Sequence, residues 1–220
     1  MDGIVEWTRA QERVIDLVTG LPAPRAAATV PACPDWTVRD LLSHMVGLGA
    51  DVVAGDEPDD HNEAWTARQV EARRDRDVDA LVAEWQGLAE PLRAWMAEHG
   101  TRPLGDVTIH EQDLRGALGV PGGQDTPAMA AMRERFAARF AARLDPGLPP
   151  IALTGDGWSW ASGEGEPAVE VRASDFELAR ALMARRSAAQ LRAWTVRGDV
   201  EPYLDAFATL GSLPDRDLAE

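Results

Sequence analysis

Apolar side chains recur every three or four residues over most of the first 145 positions, which is the spacing of one buried helix face. In the clearest stretch, the repeating apolar side chains are Leu81, Trp85, Leu88, Leu92 and Trp95. The pattern predicts helices over residues 4–19, from Thr37 onward, within residues 63–99, over residues 106–118 and over residues 127–144. We expect the third of these segments to break near residues 75–79 and to kink or join at Pro91.

The start of the second helix carries the best-defined local signal in the chain. Thr37 is a suitable N-cap, and Asp40, three residues later, completes a capping box. Trp36 and Leu41 have the spacing of a hydrophobic staple around that cap. At the other end of the domain, Gly119 is placed to end the fourth helix as a C-cap.

The pattern changes at residues 146–150, a segment rich in proline and glycine. Short alternating segments between glycine-rich turns then predict strands over residues 151–154, 158–161 and 168–171. Helical spacing returns over residues 175–185, 188–194 and 202–210. The sequence therefore predicts a mostly α protein, with an all-helical N-terminal domain over residues 1–147 and a small α+β C-terminal domain over residues 148–220.

Composition excludes several classes of function. The net charge of −15 disfavours a nucleic-acid or anionic-membrane surface, because phosphate binding needs clustered positive charge. All 22 basic residues are arginine, which excludes Schiff-base and other lysine chemistry. No apolar run approaches the ~18 residues of a membrane span, and the first residues lack the layout of a signal peptide. We therefore expect a cytoplasmic protein.

Metal chemistry is restricted by the same composition. Cys33 is the only cysteine, so an internal disulfide and a cysteine-rich zinc or iron–sulfur cluster are excluded. A metal site would have to use carboxylates and some of the four histidines. Of these, His61 lies in an acidic loop and His99 at a helix end, and both are interpreted as structural or solvent-facing.

The fourth predicted helix carries a candidate ligand set. Asp106, His110 and Asp113 fall at positions i, i+4 and i+7, which share one helix face. Two side chains one turn apart can reach one ion, and carboxylate with imidazole suits Zn²⁺ and neighbouring divalent metals. On the second helix, His44 lies one turn from Leu41 and is expected to face the interior, where helix bundles build their metal sites.

Each candidate also has a structural interpretation. A histidine on an apolar face is commonly a core residue satisfied by a hydrogen bond, and Asp106 in a first helical turn can serve the helix dipole. Cys33 is interpreted as a small buried thiol in preference to a nucleophile. Arg115 can bind a substrate carboxylate through its fork of donors or can form an ion pair with Asp113 or with a neighbouring helix.

Two segments resemble a known family. Residues 33–44, CPDWTVRDLLSH, resemble the N-terminal signature of the mycothiol-dependent maleylpyruvate isomerase family, which belongs to the DinB-like metal-binding bundles. Residues 110–119, HEQDLRGALG, are similar to its second signature, and the turn over residues 121–125 also fits. The resemblance covers about residues 1–145 and extends more loosely into the C-terminal part.

The resemblance implies a DinB-like four-helix bundle with an up-down-down-up arrangement. It implies that His44, Asp106 and His110 hold a divalent metal, with zinc favoured. The characterised isomerase type has glutamate where this chain has Asp106, which is one methylene shorter. Asp113 would orient a ligand histidine or Arg115, and Arg115 would bind a carboxylate of the substrate or cofactor.

The implied activity is a metal-dependent reaction that also needs mycothiol or a similar low-molecular-weight thiol. The thiolate would add to an electrophilic small molecule, giving isomerisation or S-transfer, the latter in detoxification. The expected partners are that substrate and the thiol, without nucleic acid or membrane, and the expected assembly is a monomer or a homodimer. The alternative is a non-catalytic binding or regulatory protein on the same bundle, with or without a bound metal.

Overall fold

The computed structural model describes residues 1–58 and 62–219, and it divides into two compact units, Met1–Gly123 and Gln124–Ala219. The first unit contains the helices α1 (Gly3–Val18), α2 (Ala23–Ala26), α3 (Val38–Ala54), α4 (Glu63–Glu71), α5 (Val78–His99) and α6 (Pro103–Leu118). It also contains the strands β1 (Thr29–Val30) and β2 (Cys33–Thr37).

The four long helices of this unit form a closed bundle. Helix α1 packs against α5 and α6, and α3 packs against the same two helices. Their apolar stripes meet in a core that includes Trp7 on α1, Leu41 on α3, Trp85 on α5 and Leu114 on α6, all of them buried. The predicted four-helix bundle is thus confirmed, and it brings the second and fourth predicted helices, α3 and α6, into direct contact.

The capping signals of α3 and α6 are confirmed. The Thr37 hydroxyl accepts a hydrogen bond from the Asp40 backbone N–H, and the Asp40 carboxylate accepts one from the Thr37 backbone N–H. Helix α6 ends at Gly119, whose φ of 64° is the left-handed C-cap conformation that glycine adopts at little cost. Helix α6 begins earlier than predicted, with Pro103 in its first turn.

A two-stranded ribbon precedes α3, which the prediction of an all-helical domain missed. Strands β1 and β2 pair antiparallel, with Val30 opposite Cys33. Both residues precede prolines, and the proline ring pushes the preceding residue out of the helical region into extended backbone. Residues 33–37 are therefore a strand that leads directly into the N-cap of α3.

The break predicted near residues 75–79 lies between α4 and α5. Helix α4 ends at Glu71, and α5 begins at Val78 under the N-cap of Asp77, whose carboxylate accepts from the Ala80 N–H at 2.8 Å. Pro91 does not end α5, which continues through it to His99.

The second unit begins with helix α7 (Pro127–Arg143), which packs against α8 (Asp175–Leu182). Its other elements are β3 (Ile151–Thr154), β4 (Ser159–Ala161), β5 (Val169–Arg172), α9 (Ala188–Trp194), β6 (Thr195–Arg197), a 3₁₀ turn (Glu201–Tyr203) and α10 (Leu204–Phe207). The strand order is β4-β3-β5-β6, with β3 and β5 parallel and the outer pairs antiparallel. The small α+β region is confirmed, while β6 was not predicted.

The division between the two units lies earlier in the chain than the domain boundary predicted between residues 147 and 148. Helix α7 belongs with the second unit because its apolar face, which includes Met129, Phe136 and Phe140, packs on α8 and α10. Among the described residues, no helix is both long and apolar enough to cross a lipid bilayer.

Candidate metal centre

Three side chains from two helices converge inside the first unit. The Nε2 atom of His44 on α3 lies 3.2 Å from Oδ1 of Asp106 on α6. The Nε2 atom of His110, one turn further along α6, lies 3.5 Å from the same oxygen. The two imidazole rings meet edge to face with their centres 5.2 Å apart. The structure thus brings together the three residues that the sequence singled out as metal ligands.

The spacing of these donor atoms fits a small divalent cation. Ligand atoms at the corners of a tetrahedron with metal–ligand bonds of about 2.0–2.1 Å lie about 3.3–3.4 Å apart, and the two distances to Asp106 fall on either side of that value. One ligand atom from each of the three residues lies within 4.8 Å of the others. Two imidazoles and one carboxylate leave a fourth position open, as catalytic zinc sites do.

Both histidines are oriented through their other ring nitrogen. The Nδ1–H of His44 donates to Oε1 of Gln69 on α4 at 2.7 Å. The Gln69 amide cannot be turned the other way, because its Nε2 donates to the Asp51 carboxylate at 2.7 Å and a carboxylate only accepts. This contact fixes the His44 tautomer, so that the Nε2 lone pair points towards Asp106.

The orientation of His110 is fixed in the same way by Asp113. The Nδ1–H of His110 donates to Oδ2 of Asp113 at 2.9 Å, one turn along α6. Asp113 is fully buried, and its carboxylate accepts at this position. The Nε2 lone pair of His110 is therefore also left to face Asp106. Such outer hydrogen bonds are typical of histidines that bind metals.

The electrostatics of the cluster favour a positive charge at its centre. Burial acts to lower the pKa of His44, but the Asp106 carboxylate, the hydrogen bond to Gln69 and the charge of Asp51 outweigh it, so the pKa is raised. Burial acts to raise the pKa of Asp106, yet the nearby His110 and His44 hold it below its ordinary value. When no proton lies between them, the Nε2 lone pairs of the two histidines and the Asp106 carboxylate oxygen repel one another. A proton or a metal ion relieves that repulsion.

Cys33 lies at the edge of the cluster. Its Sγ is 3.8 Å from Oδ2 of Asp113, and with His110 these residues form a second group that has metal-ligand spacing. The thiol is half-buried and lines an open groove of about 460 Å³ with Trp36, whose ring centre lies 5.0 Å from that of His44. Trp36 therefore forms a wall between the groove and the first histidine.

The structure does not bring Arg115 into this cluster. Its guanidinium donates to Glu111 at 3.0 Å and to the Val120 carbonyl oxygen at 3.2 Å. Glu111 also accepts two hydrogen bonds from Arg13 on α1. Five residues along a helix rotate a side chain by about 140°, which separates Arg115 from the face of His110. The ion pair is with Glu111, so the predicted carboxylate-binding role of Arg115 stays a prediction.

The remaining histidines lie elsewhere or outside the described residues. His99 is exposed and stacks on Trp95 with ring centres 4.7 Å apart. Its Nδ1 atom lies 2.9 Å from the Trp95 carbonyl oxygen. This agrees with its structural interpretation. His61 lies outside the part of the chain that the structure describes.

Sequence reasoning missed Gln69 and Asp51. Asp51 follows His44 by seven residues on α3, which places both on one helix face, and that spacing was a usable signal. Gln69 had no such signal, because it belongs to α4 and only the packing of α4 on α3 brings it to His44.

Residues 7–104 match the family described as the mycothiol maleylpyruvate isomerase N-terminal domain. No curated protein and no solved structure matches the chain at a significant level. The match begins within α1 and covers α2, the β-ribbon, α3, α4 and α5, and it therefore includes His44, Gln69 and Asp51. The match ends just before Asp106, so Asp106 and His110 are assigned to the cluster by their distances alone. Over residues 7–104, this chain is therefore similar to the mycothiol maleylpyruvate isomerase N-terminal domain family.

Proposed function

We propose that this protein is a metal-dependent enzyme that uses a low-molecular-weight thiol of the mycothiol type against an electrophilic small molecule, by isomerisation or S-transfer. The observation that carries the proposal is the convergence of two histidine Nε2 atoms on Asp106 Oδ1, at 3.2 and 3.5 Å. The family of residues 7–104, named for mycothiol and maleylpyruvate isomerase, supports the thiol and the reaction class.

The residues divide into those that hold the metal and those that orient its ligands. His44, Asp106 and His110 would hold the ion, and zinc suits two imidazoles and a carboxylate. Gln69 and Asp113 hold the Nδ1–H of each histidine, which keeps both Nε2 lone pairs directed inward. When bound, a divalent cation supplies a positive charge that favours the thiolate, the nucleophilic form of a thiol.

The groove beside Trp36 is the proposed place for the thiol or the substrate. The Trp36 ring separates this groove from His44, and the other side chains that line the groove include Asp35, Glu63 and Thr66. The aromatic ring offers an apolar face, and the carboxylates and hydroxyl offer hydrogen-bond acceptors. These groups suit a polar small molecule with hydroxyl or amine donors.

Metal content and thiol-dependent turnover test the proposal. Protein purified without a tag should bind about one equivalent of zinc, His110→Ala should lose it, and His99→Ala, on an exposed histidine, should keep it. The zinc-loaded protein should then consume electrophiles such as cis-unsaturated diketo acids only when a low-molecular-weight thiol is added. Absence of zinc binding at equilibrium would reject the metal-dependent enzyme and favour a metal-free binding or regulatory protein.

A further inference from the structure

The two candidate histidine ligands have unlike supports. His110 is supported by a carboxylate on its own helix, Asp113. His44 is supported by a neutral amide, Gln69, on a separate helix of nine residues. Gln69 is itself 2% exposed and is held by Asp51, so that α3 and α4 form a chain of hydrogen bonds from Asp51 through Gln69 to His44.

The close approach of α4 to α3 depends on Gly47. A Cβ at Gly47 would lie 2.5 Å from Cβ of Gln69 and 2.9 Å from Nη1 of Arg73. Arg73 in turn donates to the Gln69 backbone carbonyl oxygen and to Glu84 on α5. The backbone of Gln69 is therefore fixed on one side by the glycine contact and on the other by Arg73.

We propose that Gln69, aligned by Asp51 and seated against Gly47, is the positioning residue that sets the tautomer of His44 and thereby the metal affinity of the site. This inference rests on the proposed metal centre and extends it to a residue that does not touch the metal. Without an acceptor at Nδ1, His44 can exchange its two tautomers and turn its ring, so fewer molecules present the Nε2 lone pair to the ion.

Substitution at Gln69 separates this role from simple loss of a buried side chain. Gln69→Met keeps the length of the side chain and removes the acceptor for His44, and zinc affinity should fall by about 10–100-fold. Gln11→Met is the matched control, because Gln11 is also a buried glutamine, and its amide donates to the Trp85 carbonyl oxygen away from the cluster. That control should leave zinc affinity within about twofold of the wild type while it loses one buried hydrogen bond.

A charge exchange provides the rescue. Gln69→Glu alone replaces the amide that donates to Asp51 at 2.7 Å with a second carboxylate. The two negative charges repel each other and displace the acceptor of His44, so zinc binding should weaken. Adding Asp51→Asn restores a donor on that side, so the double variant again offers His44 a fixed acceptor at unchanged net charge. Its zinc affinity should return to at least the wild-type value, since a carboxylate acceptor increases the basicity of the ligand histidine.

The experiment is competition of each purified protein with a chromophoric zinc chelator, followed by ¹⁵N NMR of the zinc-loaded forms. In the wild type and the double variant, the His44 Nδ1–H should give a proton signal that is protected from exchange, and in Gln69→Met that signal should be lost. Equal affinity of Gln69→Met and the wild type, or a double variant as weak as Gln69→Met, would overturn the inference while leaving the metal centre intact. A wild type that binds no zinc would overturn the proposed function, and the positioning role with it.

Discussion

Oδ1 of Asp106 lies 3.2 Å from Nε2 of His44, although the two residues are 62 positions apart in the sequence. The contact exists because α3 packs directly on α6 in the bundle. Aspartate is one methylene shorter than glutamate, and the Asp106 carboxylate still reaches both histidines. The shorter side chain is therefore compatible with a three-residue cluster.

The pH dependence of stability should report this contact in the metal-free protein. The pKa of His44 is raised in the folded state, so its contribution is full below its ordinary value of about 6.5 and is lost as the pH rises through the folded value. The pKa of Asp106 is lowered, so its contribution is lost only as the pH falls through that lowered value. The stabilisation should be greatest in the weakly acidic range between them.

The measurement is the free energy of unfolding of chelator-treated protein by urea between about pH 5.5 and pH 8.5, for the wild type and Asp106→Asn. The wild type should lose more stability than Asp106→Asn as the pH rises. Burial is the largest influence on the His44 pKa and lowers it, and without the Asp106 carboxylate less remains to raise that pKa. Parallel curves for the two proteins would show that His44 and Asp106 do not interact as the structure places them.

Gly47 and Gly49 on α3 give a matched pair of substitutions. Gly47→Ala would press its Cβ on Gln69 at 2.5 Å, so it should destabilise the protein by about 1–3 kcal/mol and weaken zinc binding. Gly49→Ala meets only Leu92 at 3.4 Å and Trp85 at 3.9 Å, which are ordinary contacts. It should be neutral or stabilising by up to about 1 kcal/mol, the helix preference of alanine over glycine.

Urea unfolding and zinc competition on both alanine variants test this pair. The two glycines lie half a turn apart on one helix, so a general intolerance of α3 to alanine would affect both. Equal stability and equal zinc affinity in the two variants would contradict the close approach of α4 that the structure shows at Gly47.

Glu111 should support the fold independently of the metal. Its buried carboxylate accepts from Arg13 on α1 and from Arg115 on α6, and so links two helices of the bundle. Glu111→Gln removes the negative charge and leaves two arginines without it, which should cost about 3 kcal/mol of unfolding free energy. Zinc affinity of the folded variant should be unchanged, because Glu111 lies on a different face of α6 from His110. A stable variant that has lost zinc would instead place Glu111 in the metal site.

Much of the first unit was predictable because its signals are local. The capping box of Thr37 and Asp40 and the C-cap at Gly119 involve neighbours in sequence, and each was found where predicted. The i, i+4 spacing of Asp106 and His110 on one helix likewise indicated a shared ligand site. These features need only helical geometry, which the sequence pattern specifies.

The missed features depend on contacts between distant parts of the chain. The β-ribbon was not predicted because its two strands are short, although the prolines after Val30 and Cys33 favour extended backbone there. Gln69 was missed because its contact with His44 spans 25 positions and two helices. The ion pair of Arg115 with Glu111 was also missed, because it belongs to a buried group that includes Arg13, which lies 98 residues before Glu111 in the sequence.

X-ray absorption at the zinc edge of the loaded protein, before any thiol is added, shows directly which side chains bind the ion. The spectrum should show two imidazole ligands, with the remaining nitrogen or oxygen ligands at about 2.0–2.1 Å and no sulfur, as expected for His44, Asp106 and His110. A sulfur ligand at about 2.3 Å would rule out the proposed ligand set, since it would place the ion on Cys33 with His110 and Asp113 instead.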